Sequence, residues 1–249
     1  SEIYSIDYVN YTPSTSYPRE YIYESDDIIL PQNITKSGYE FDGWYTSEDF
    51  DANSKTEGIS KGSVGNKTFY ARWLEVFDIN YTGLNGVSND MNPKTYTSKT
   101  ETIVLTNLER KGYVFKGWTL NGQPVETIEK GSTGDITLVA NWETVTYTIQ
   151  YVLNGGTNDN NNRSSYKITS SDFDLLDAHK DNNIFLGWYT DEEFSKNKKI
   201  TEIDVSDLGN YILYARFMPL NDQGGVDIHN LKDLITFGDF GENLASIDV

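Results

Sequence analysis

The chain has 249 residues, a formal net charge of -18 and no cysteine. The lack of cysteine excludes disulfides, thiolate zinc sites and a cysteine nucleophile, and the acidic charge disfavours nucleic acid and anionic membrane surfaces as partners. No apolar run approaches the roughly 20 residues of a spanning helix, and Ser1 begins without a signal peptide, so we expect no membrane insertion in this stretch and a longer parent chain.

A strand with the pattern Ile-x-Tyr opens each of three similar segments. Its tyrosine precedes a Gly-Trp pair by 36, 37 and 37 residues, from position 8 to 44, 81 to 118 and 151 to 188. Self-similarity at a fixed spacing is the signature of tandem repeats and outweighs a domain count based on length. The opening triplets are Ile6-Asp7-Tyr8, Ile79-Asn80-Tyr81 and Ile149-Gln150-Tyr151.

A polar loop, a second strand and a short apolar segment follow in each copy. The second strand is predicted near Tyr21-Ile22-Tyr23 and near Tyr166-Lys167-Ile168. Pro13 and Pro18 precede it in the first copy and predict an edge or displaced strand there. The apolar segment leads into a stretch with room for one helical turn. The three apolar segments are Ile28-Ile29-Leu30, Ile103-Val104-Leu105 and Phe173-Asp174-Leu175-Leu176.

The Gly-Trp strand comes next, after Gly38, Gly112 or Asn182. Because asparagine is the side chain that best tolerates a left-handed backbone, the exchange of glycine for asparagine predicts a positive φ at this position. Alternation along the strand predicts Phe41 on one face and Trp44 on the other. A glycine beside a large indole indicates a close backbone approach or a β-bulge, and we predict that the tryptophans are core residues.

A closing strand ends each copy, five residues after Gly65, Gly134 or Gly209. In the second copy Asn121-Gly122 predicts a type I′ hairpin turn, in a stretch five residues shorter than in the other copies. The closing tetrads are Tyr70-Ala71-Arg72-Trp73, Val139-Ala140-Asn141-Trp142 and Tyr214-Ala215-Arg216-Phe217.

These anchors predict three repeats joined by linkers of only a few residues, which implies a semi-rigid rod of beads. The predicted segments are repeat 1 at 1–74, repeat 2 at 75–143, repeat 3 at 144–218 and a tail at 219–249. The tail lacks all three anchors and includes a predicted short helix at 227–235. We interpret it as an acidic tail packed on repeat 3 or the start of a further domain.

These motifs resemble the Listeria-Bacteroides repeat, also called the internalin B-repeat family. The third copy has the family's opening element, Asn154-Gly155-Gly156, whereas the first copy has Asn10-Tyr11-Thr12. The resemblance covers about residues 3 to 218. It implies an α+β, mostly β fold of tandem small β-grasp-like units, similar to ubiquitin or SUMO, and occurrence in bacterial surface and secreted proteins. The family supplies no catalytic residues to transfer.

Candidates for chemistry are few, and we predict no catalytic, cofactor-binding or metal-binding residue. His179 and His229 are interpreted as solvated histidines. The paired carboxylates Glu48-Asp49 and Asp191-Glu192-Glu193 are adjacent in sequence, so their side chains point apart and form no glycosidase pair. The loops Ser88-Asn89-Asp90 and Asn158-Asp159-Asn160-Asn161-Asn162 have oxygen ligands for a cation but lack EF-hand spacing, so a solvated hairpin loop is the favoured interpretation.

Two non-catalytic functions follow from this sequence. The first is a stalk or spacer, with a part in adhesion, in an extracellular or cell-surface bacterial protein. The alternative is a binding module that recognises a host protein or a glycan through exposed tyrosines such as Tyr17, Tyr21 and Tyr23. Neither function needs a cofactor.

Overall fold

A computed structural model describes residues 1–13 and 15–226. The predicted helix at 227–235 and His229 therefore lie outside the described residues. The described part of the chain is mostly β, as predicted: it holds twenty-one strands and two 3₁₀ turns, and no α-helix. The 3₁₀ turns are Ala52–Ser54 and Lys196–Lys198.

Seven strands form each copy. In the first copy they are β1 (Ile3–Val9), β2 (Glu20–Ile22), β3 (Ile28–Ile29), β4 (Tyr39–Tyr45), β5 (Lys55–Thr56), β6 (Gly58–Ile59) and β7 (Lys67–Glu75). In the second they are β8 (Phe77–Thr82), β9 (Thr95–Tyr96), β10 (Ile103–Val104), β11 (Tyr113–Leu120), β12 (Gln123–Val125), β13 (Thr127–Ile128) and β14 (Ile136–Thr144). In the third they are β15 (Tyr147–Val152), β16 (Ser165–Tyr166), β17 (Phe173–Asp174), β18 (Asn183–Tyr189), β19 (Lys199–Ile200), β20 (Glu202–Ile203) and β21 (Tyr211–Pro219).

One strand order recurs three times. The sheets run β2-β1-β7-β4-β5, β9-β8-β14-β11-β12 and β16-β15-β21-β18-β19, and a two-stranded sheet accompanies each: β3-β6, β10-β13 and β17-β20. The opening strand lies parallel to the closing strand, and the Gly-Trp strand lies antiparallel to it. Contacts divide the chain into two compact units, residues 1–108 with 115–141, and residues 109–114 with the chain from 142 on.

The three tryptophans of the Gly-Trp motif are core residues, as predicted. Trp44, Trp118 and Trp188 are at most 2% exposed. The predicted bulge also occurs: pairing with the closing strand shifts between Phe41 and Gly43, and again between Phe185 and Gly187.

The prediction that Phe41 and Trp44 point to opposite faces is wrong. Their ring centroids lie 5.8 Å apart, edge to face, in the same core. The bulge is the reason, because one extra residue reverses the alternation of faces along the strand. The other copies repeat the contact at 5.5 Å between Phe115 and Trp118 and at 5.3 Å between Phe185 and Trp188.

The turn before the Gly-Trp strand is left-handed, as the glycine-to-asparagine exchange predicted. The φ angles are 76° at Gly38, 78° at Gly112 and 55° at Asn182. Asn121 and Gly122 also have positive φ, 50° and 78°, which agrees with the predicted type I′ turn. The apolar segments form the short strands β3, β10 and β17. In the described residues, no helical turn follows any of them.

A buried tyrosine in each copy binds the glycine of the turn before the closing strand. Tyr21 donates its hydroxyl hydrogen bond to the Gly65 carbonyl at 2.6 Å, and Tyr166 bonds the Gly209 carbonyl at 2.7 Å. Tyr96 donates to Gly134 in the second copy. The second strand is therefore fastened to the turn that precedes the closing strand in every copy.

Candidate functional site

The Gly-Trp motif builds a core anchor, because every polar group of the indole is satisfied internally. The indole N–H of Trp44 donates to the Pro31 carbonyl at 2.7 Å, and that of Trp188 donates to the Leu176 carbonyl at 2.9 Å. The tyrosine of the opening strand packs edge-on to the same ring, at 5.6 Å for Tyr8 and 4.9 Å for Tyr151. The motif therefore holds loop, strand and sheet together and leaves no reactive group exposed.

The tyrosines that pack on the indoles are shielded from ionisation. Burial raises the pKa of Tyr81 and of Tyr151 to about 12. Each hydroxyl instead donates a hydrogen bond to a backbone carbonyl, that of Pro93 at 2.8 Å and that of Arg163 at 2.9 Å. Neither phenol is a candidate acid or base near neutral pH.

The amide-rich loops are built around a structural asparagine. Asn92 is 3% exposed; its amide donates to the Thr106 carbonyl at 3.1 Å and its oxygen accepts from the Thr106 N–H at 2.7 Å. Asn162 makes the same pair of bonds with Leu176. Each amide thus acts like a short piece of β-strand beside the loop that receives the tryptophan N–H. Within the described residues, no three His, Asp or Glu side chains group closely enough to hold a metal ion.

Asn92→Ala is expected to lower the free energy of unfolding by about 2 kcal/mol, because the hydrogen-bonding groups of Thr106 lose a buried partner. Asn80→Ala, at an exposed position of β8, is the control and is expected to change stability by less than about 0.5 kcal/mol. Urea denaturation followed by circular dichroism measures both. Equal small losses would show that the amide pair contributes nothing.

The titratable residues that the sequence singles out, His229 apart because it lies outside the described residues, are dispersed and solvated. The side chain of His179 is 77% exposed and lies 3.0 Å from Asp181, while its backbone pairs with Thr157. Glu48 and Asp49 are exposed. In the third copy, Asp191 accepts the Ser195 N–H at 2.9 Å, and Glu192 and Glu193 are exposed. The structure brings no two of these groups together as an acid and a base.

The three tyrosines predicted to form an exposed recognition surface are not all exposed. Tyr21 is 4% exposed and belongs to the core, so its place in an exposed recognition surface is wrong. Period-two alternation on β2 turns it inward, and its hydroxyl finds the Gly65 carbonyl. Tyr17 is half-buried, and only Tyr23 of the three is exposed, at 57%.

A second aromatic cluster covers the face of the sheet opposite the tryptophan in repeats 1 and 3. The Arg72 guanidinium lies 5.8 Å from the Tyr45 ring and 5.4 Å from the Phe50 ring. Arg216, Tyr189 and Phe194 reproduce this arrangement at 5.7 and 5.6 Å. The phenylalanines have positive φ, 53° and 54°, on loops before the 3₁₀ turns.

Repeat 2 has a polar version of this face because its hairpin is short. Thr119 and Asn141 take the places of the tyrosine and the arginine, and the Asn141 amide donates to the Thr119 hydroxyl at 3.1 Å. Repeat 2 therefore shares the core of the other copies but differs from both on the opposite face.

Asp42 is the most connected charged group on this face. It accepts hydrogen bonds from Lys99 at 2.6 Å and from Tyr45 at 2.7 Å, and lies 3.5 Å from Arg72. Burial alone would raise the pKa of Asp42, but the bonds from Lys99 and Tyr45 outweigh it and hold the pKa below its ordinary value. Lys99 comes from the second copy, so this carboxylate joins neighbouring repeats.

Asp42→Asn is expected to destabilise the protein by about 1 kcal/mol at neutral pH, discounted for the exposure of Lys99. Because the pKa is lowered on folding, the contribution of Asp42 is present above the unfolded-state pKa of 3.8 and is lost as pH falls through the folded value. The difference between wild type and variant should thus vanish in acid. Denaturation at several pH values tests this, with the exposed Asp49→Asn as control; a difference independent of pH would contradict it.

A lysine covers the bulge glycine in repeats 1 and 3. A Cβ built on Gly43 would stand 2.6 Å from Cε of Lys55, and one on Gly187 would stand 2.6 Å from Cε of Lys199. The Lys55 ammonium donates to the Asp42 carbonyl at 2.7 Å. The bulge therefore forms a slot for an alkyl chain, with a backbone acceptor for the ammonium at its end.

An open groove of about 480 Å³ lies on repeat 3. Tyr214, Phe217 and Phe194 supply aromatic walls, and Lys180 and Glu192 supply charge. The Asn-Gly-Gly element shapes one side: a Cβ on Gly156 would stand 2.6 Å from the Phe217 ring.

The family model of the Listeria-Bacteroides repeat domain matches residues 4–72, 77–141 and 147–216. The chain belongs to this family. The three matches agree with the three tandem copies expected from the Ile-x-Tyr, Gly-Trp and closing motifs. It is a repeat-domain family and not a family of enzymes. No solved structure matches the chain.

Two curated relatives are from Evansella cellulosilytica. One, provisionally named a Gly-rich membrane protein, is 28% identical over 220 residues, which are 80% of this chain and 25% of the relative. The other, provisionally named a membrane protein, is 28% identical over 198 residues, 75% of this chain and 28% of the relative. The chain thus spans about a quarter of the length of these relatives. Among residues 1–13 and 15–226, no helix combines the length and apolar character needed to cross a bilayer.

Several residues that make important structural contacts were not predicted from the sequence. Nothing in the local sequence distinguishes Asp42 and Lys55 from ordinary charged surface residues. No pattern indicates that Asp42 contacts three side chains or that the Lys55 side chain lies over Gly43. Asn92 was not singled out, because the predicted polar loop of the second copy covered only Ser88-Asn89-Asp90. One signal was present, since asparagine recurs at the matching position of the third copy, Asn162.

Proposed function

We propose that this repeat region is a non-catalytic stalk or spacer of a bacterial cell-surface or secreted protein. The observation that carries the proposal is the threefold recurrence of one sheet, each copy with its own buried tryptophan. Family membership and the membrane-protein names of both relatives support a surface context.

The junctions support a spacer with restrained linkers. The residue after each closing strand donates its N–H to the carbonyl of the left-handed residue that precedes the Gly-Trp strand. The three bonds are Val76 to Gly38 at 3.0 Å, Val145 to Gly112 at 2.9 Å and Leu220 to Asn182 at 2.8 Å. Each exit from a copy is thus fixed to that copy.

We further propose that each copy is a β-grasp derivative. The parallel pairing of the opening and closing strands inside a mixed sheet supports this assignment. In this view the crossover helix of a β-grasp is replaced by a short strand such as β3 and its loop. An experimental structure of one copy, compared with ubiquitin-like domains, tests the assignment; a strand order that cannot be superposed on theirs would refute it.

Removal of copies from the full-length protein tests the spacer function. One epitope placed before residue 1 and another placed after residue 226 are located on bacteria by immunogold electron microscopy. Loss of residues 144–216, and then of 77–216, is expected to bring the epitope at the envelope-distal end stepwise closer to the envelope. An unchanged distance would contradict a spacer.

Ligand binding is the second candidate, favoured by the aromatic groove of repeat 3. A saccharide could lie against Tyr214 or Phe217 while Glu192 accepts hydroxyl hydrogen bonds. Glycan arrays and host-cell binding test this function, with Tyr214→Ala as the variant and Tyr70→Ala, at the matching position of repeat 1, as control. Absence of binding at high protein concentration would count against it.

A further inference from the structure

A cation lies against a tyrosine ring at the start of the Gly-Trp strand in repeats 1 and 2. The Lys36 ammonium lies 4.1 Å from the centre of the Tyr39 ring, and the Arg110 guanidinium lies 3.8 Å from the centre of the Tyr113 ring. The Lys36 ammonium also lies 5.9 Å from the ring of Trp73, on the closing strand. All three distances are within the range of a cation–π interaction.

Repeat 3 keeps the cation but lacks the tyrosine. Asn183 occupies the matching position, because its N–H donates to the Lys180 carbonyl as the tyrosine N–H does to the matching carbonyl in the other copies. The Asn183 amide turns back and donates to the Asp181 carbonyl at 2.8 Å. The Lys180 ammonium still lies 5.6 Å from the centre of the Phe217 ring, on the closing strand. The place of the tyrosine ring beside this ammonium is therefore not filled by an aromatic side chain of repeat 3.

This place forms one end of the groove on repeat 3. Lys180, Asn183, Phe217 and Pro219 all line that groove, whose volume is about 480 Å³. The Lys180 side chain is half-buried, and its ammonium donates to the Asn154 carbonyl at 2.8 Å. A ring that enters this end of the groove therefore meets an ammonium that is already held in position.

We propose that this end of the groove binds a tyrosine side chain of a partner polypeptide. The other two copies indicate the occupant, because each holds a tyrosine ring against its cation at the matching position. An ammonium is attracted to the negative face of an aromatic ring, and a tyrosine hydroxyl can stay in water at the mouth of the groove. A saccharide has no such face to offer to Lys180. The inference rests on the ligand-binding function proposed for the groove and names a polypeptide as the partner.

Titration of the whole ¹⁵N-labelled chain with Nα-acetyl-tyrosine amide tests the proposal. Saturable NMR shifts are expected at the backbone amides of Lys180 and Phe217 and at the side-chain amide of Asn183. Nα-acetyl-cyclohexylalanine amide has an apolar ring without a π face, and methyl glucoside represents a saccharide. Both compounds are expected to bind more weakly than the tyrosine compound.

Lys180→Met keeps the alkyl stem and removes the ammonium. Loss of the cation–π interaction is expected to raise the Kd of the tyrosine compound about two- to fivefold. The preference for tyrosine over cyclohexylalanine should disappear in this variant, whereas a groove that recognises only apolar surface would keep the same preference.

Two variants of position 183 separate occupancy of the groove from loss of structure. Asn183→Tyr is expected to fill the place with an internal ring, as in repeats 1 and 2, and to abolish the shift at Phe217. Asn183→Ala leaves the place open and should retain the shift. Thermal melting of both variants reports whether repeat 3 is folded.

Tyr39→Asn keeps the proposal testable if position 183 tolerates no change. It opens the matching place beside Lys36 and is expected to create a new tyrosine-dependent shift at the indole N–H of Trp73. The proposal is overturned if wild type gives no saturable shift, if the cyclohexylalanine compound or methyl glucoside matches tyrosine, or if Asn183→Tyr responds like wild type. Glycan or host-cell binding that persists in Asn183→Tyr would overturn the tyrosine site alone and leave the ligand-binding function standing.

Discussion

Trp118→Ala is expected to lower the free energy of unfolding of repeat 2 by about 3–5 kcal/mol, the usual cost of removing a large buried aromatic side chain. The ring is 2% exposed, packs edge-on to Tyr81 at 5.1 Å and donates its N–H to the Thr106 carbonyl at 3.0 Å. Since a small domain is stable by only about 5–15 kcal/mol, this loss is a large fraction of the total.

The loss should stay largely within repeat 2, because repeats in an array depend mainly on their own cores and on nearest neighbours. Calorimetry is expected to show an early transition for repeat 2 while the remaining signal melts near its wild-type temperature. Val104→Ala, at a position 72% exposed, is the control and should leave the melt unchanged. A single cooperative and unshifted melt in Trp118→Ala would contradict independent cores.

Gly83→Ala should be the second most damaging change, at about 2–4 kcal/mol from left-handed strain combined with steric overlap. The φ angle at Gly83 is 71°, and a Cβ there would stand 2.6 Å from the carbonyl oxygen of Ala140. Asn10 and Asn154, which follow the opening strands of the other copies, donate to the matching carbonyls of Ala71 and Ala215. In repeat 2 the backbone at Gly83 instead lies directly against the Ala140 carbonyl.

Gly86→Ala isolates the backbone contribution. Its φ is 83°, but a Cβ there would meet nothing within 4 Å, so only the conformational strain of about 1 kcal/mol is expected. Chemical denaturation of both variants measures the difference. Equal losses for Gly83→Ala and Gly86→Ala would mean that the Ala140 contact has no energetic weight.

Features that depend on one residue type were predictable from sequence. Asn182 in place of glycine gave the left-handed turn, and the size of Trp188 placed it in the core. The positions of Phe41 and Tyr21 were wrong for opposite reasons. Strict alternation failed at Phe41 because a bulge intervenes, and it was not applied to Tyr21, where it would have placed the ring inward.

Contacts between distant positions were not predictable from one sequence. The Lys55 stem over Gly43 depends on the pairing of β4 with β5, and the Lys99 bond to Asp42 joins groups 57 residues apart. Taken one at a time, each of these charged side chains is predicted to be solvated. Their contacts with each other are seen only once the pairing of the strands is known.

The three copies differ in structure on the face opposite the tryptophan and at the bulge glycine. The cores around Trp44, Trp118 and Trp188 are alike, whereas the bulge slot is filled in repeats 1 and 3 and open in repeat 2. The shared residues therefore build the core of each copy, and the divergent ones change its surface.

Small-angle X-ray scattering of the intact chain tests the spacer account most directly. A compact globule of 249 residues has an expected radius of gyration of about 18 Å. Three units of about 70 residues in a row predict a value of about 25 Å or more, with a distance distribution that tails to long separations. A radius near the compact value, with a symmetric distribution, would contradict the spacer.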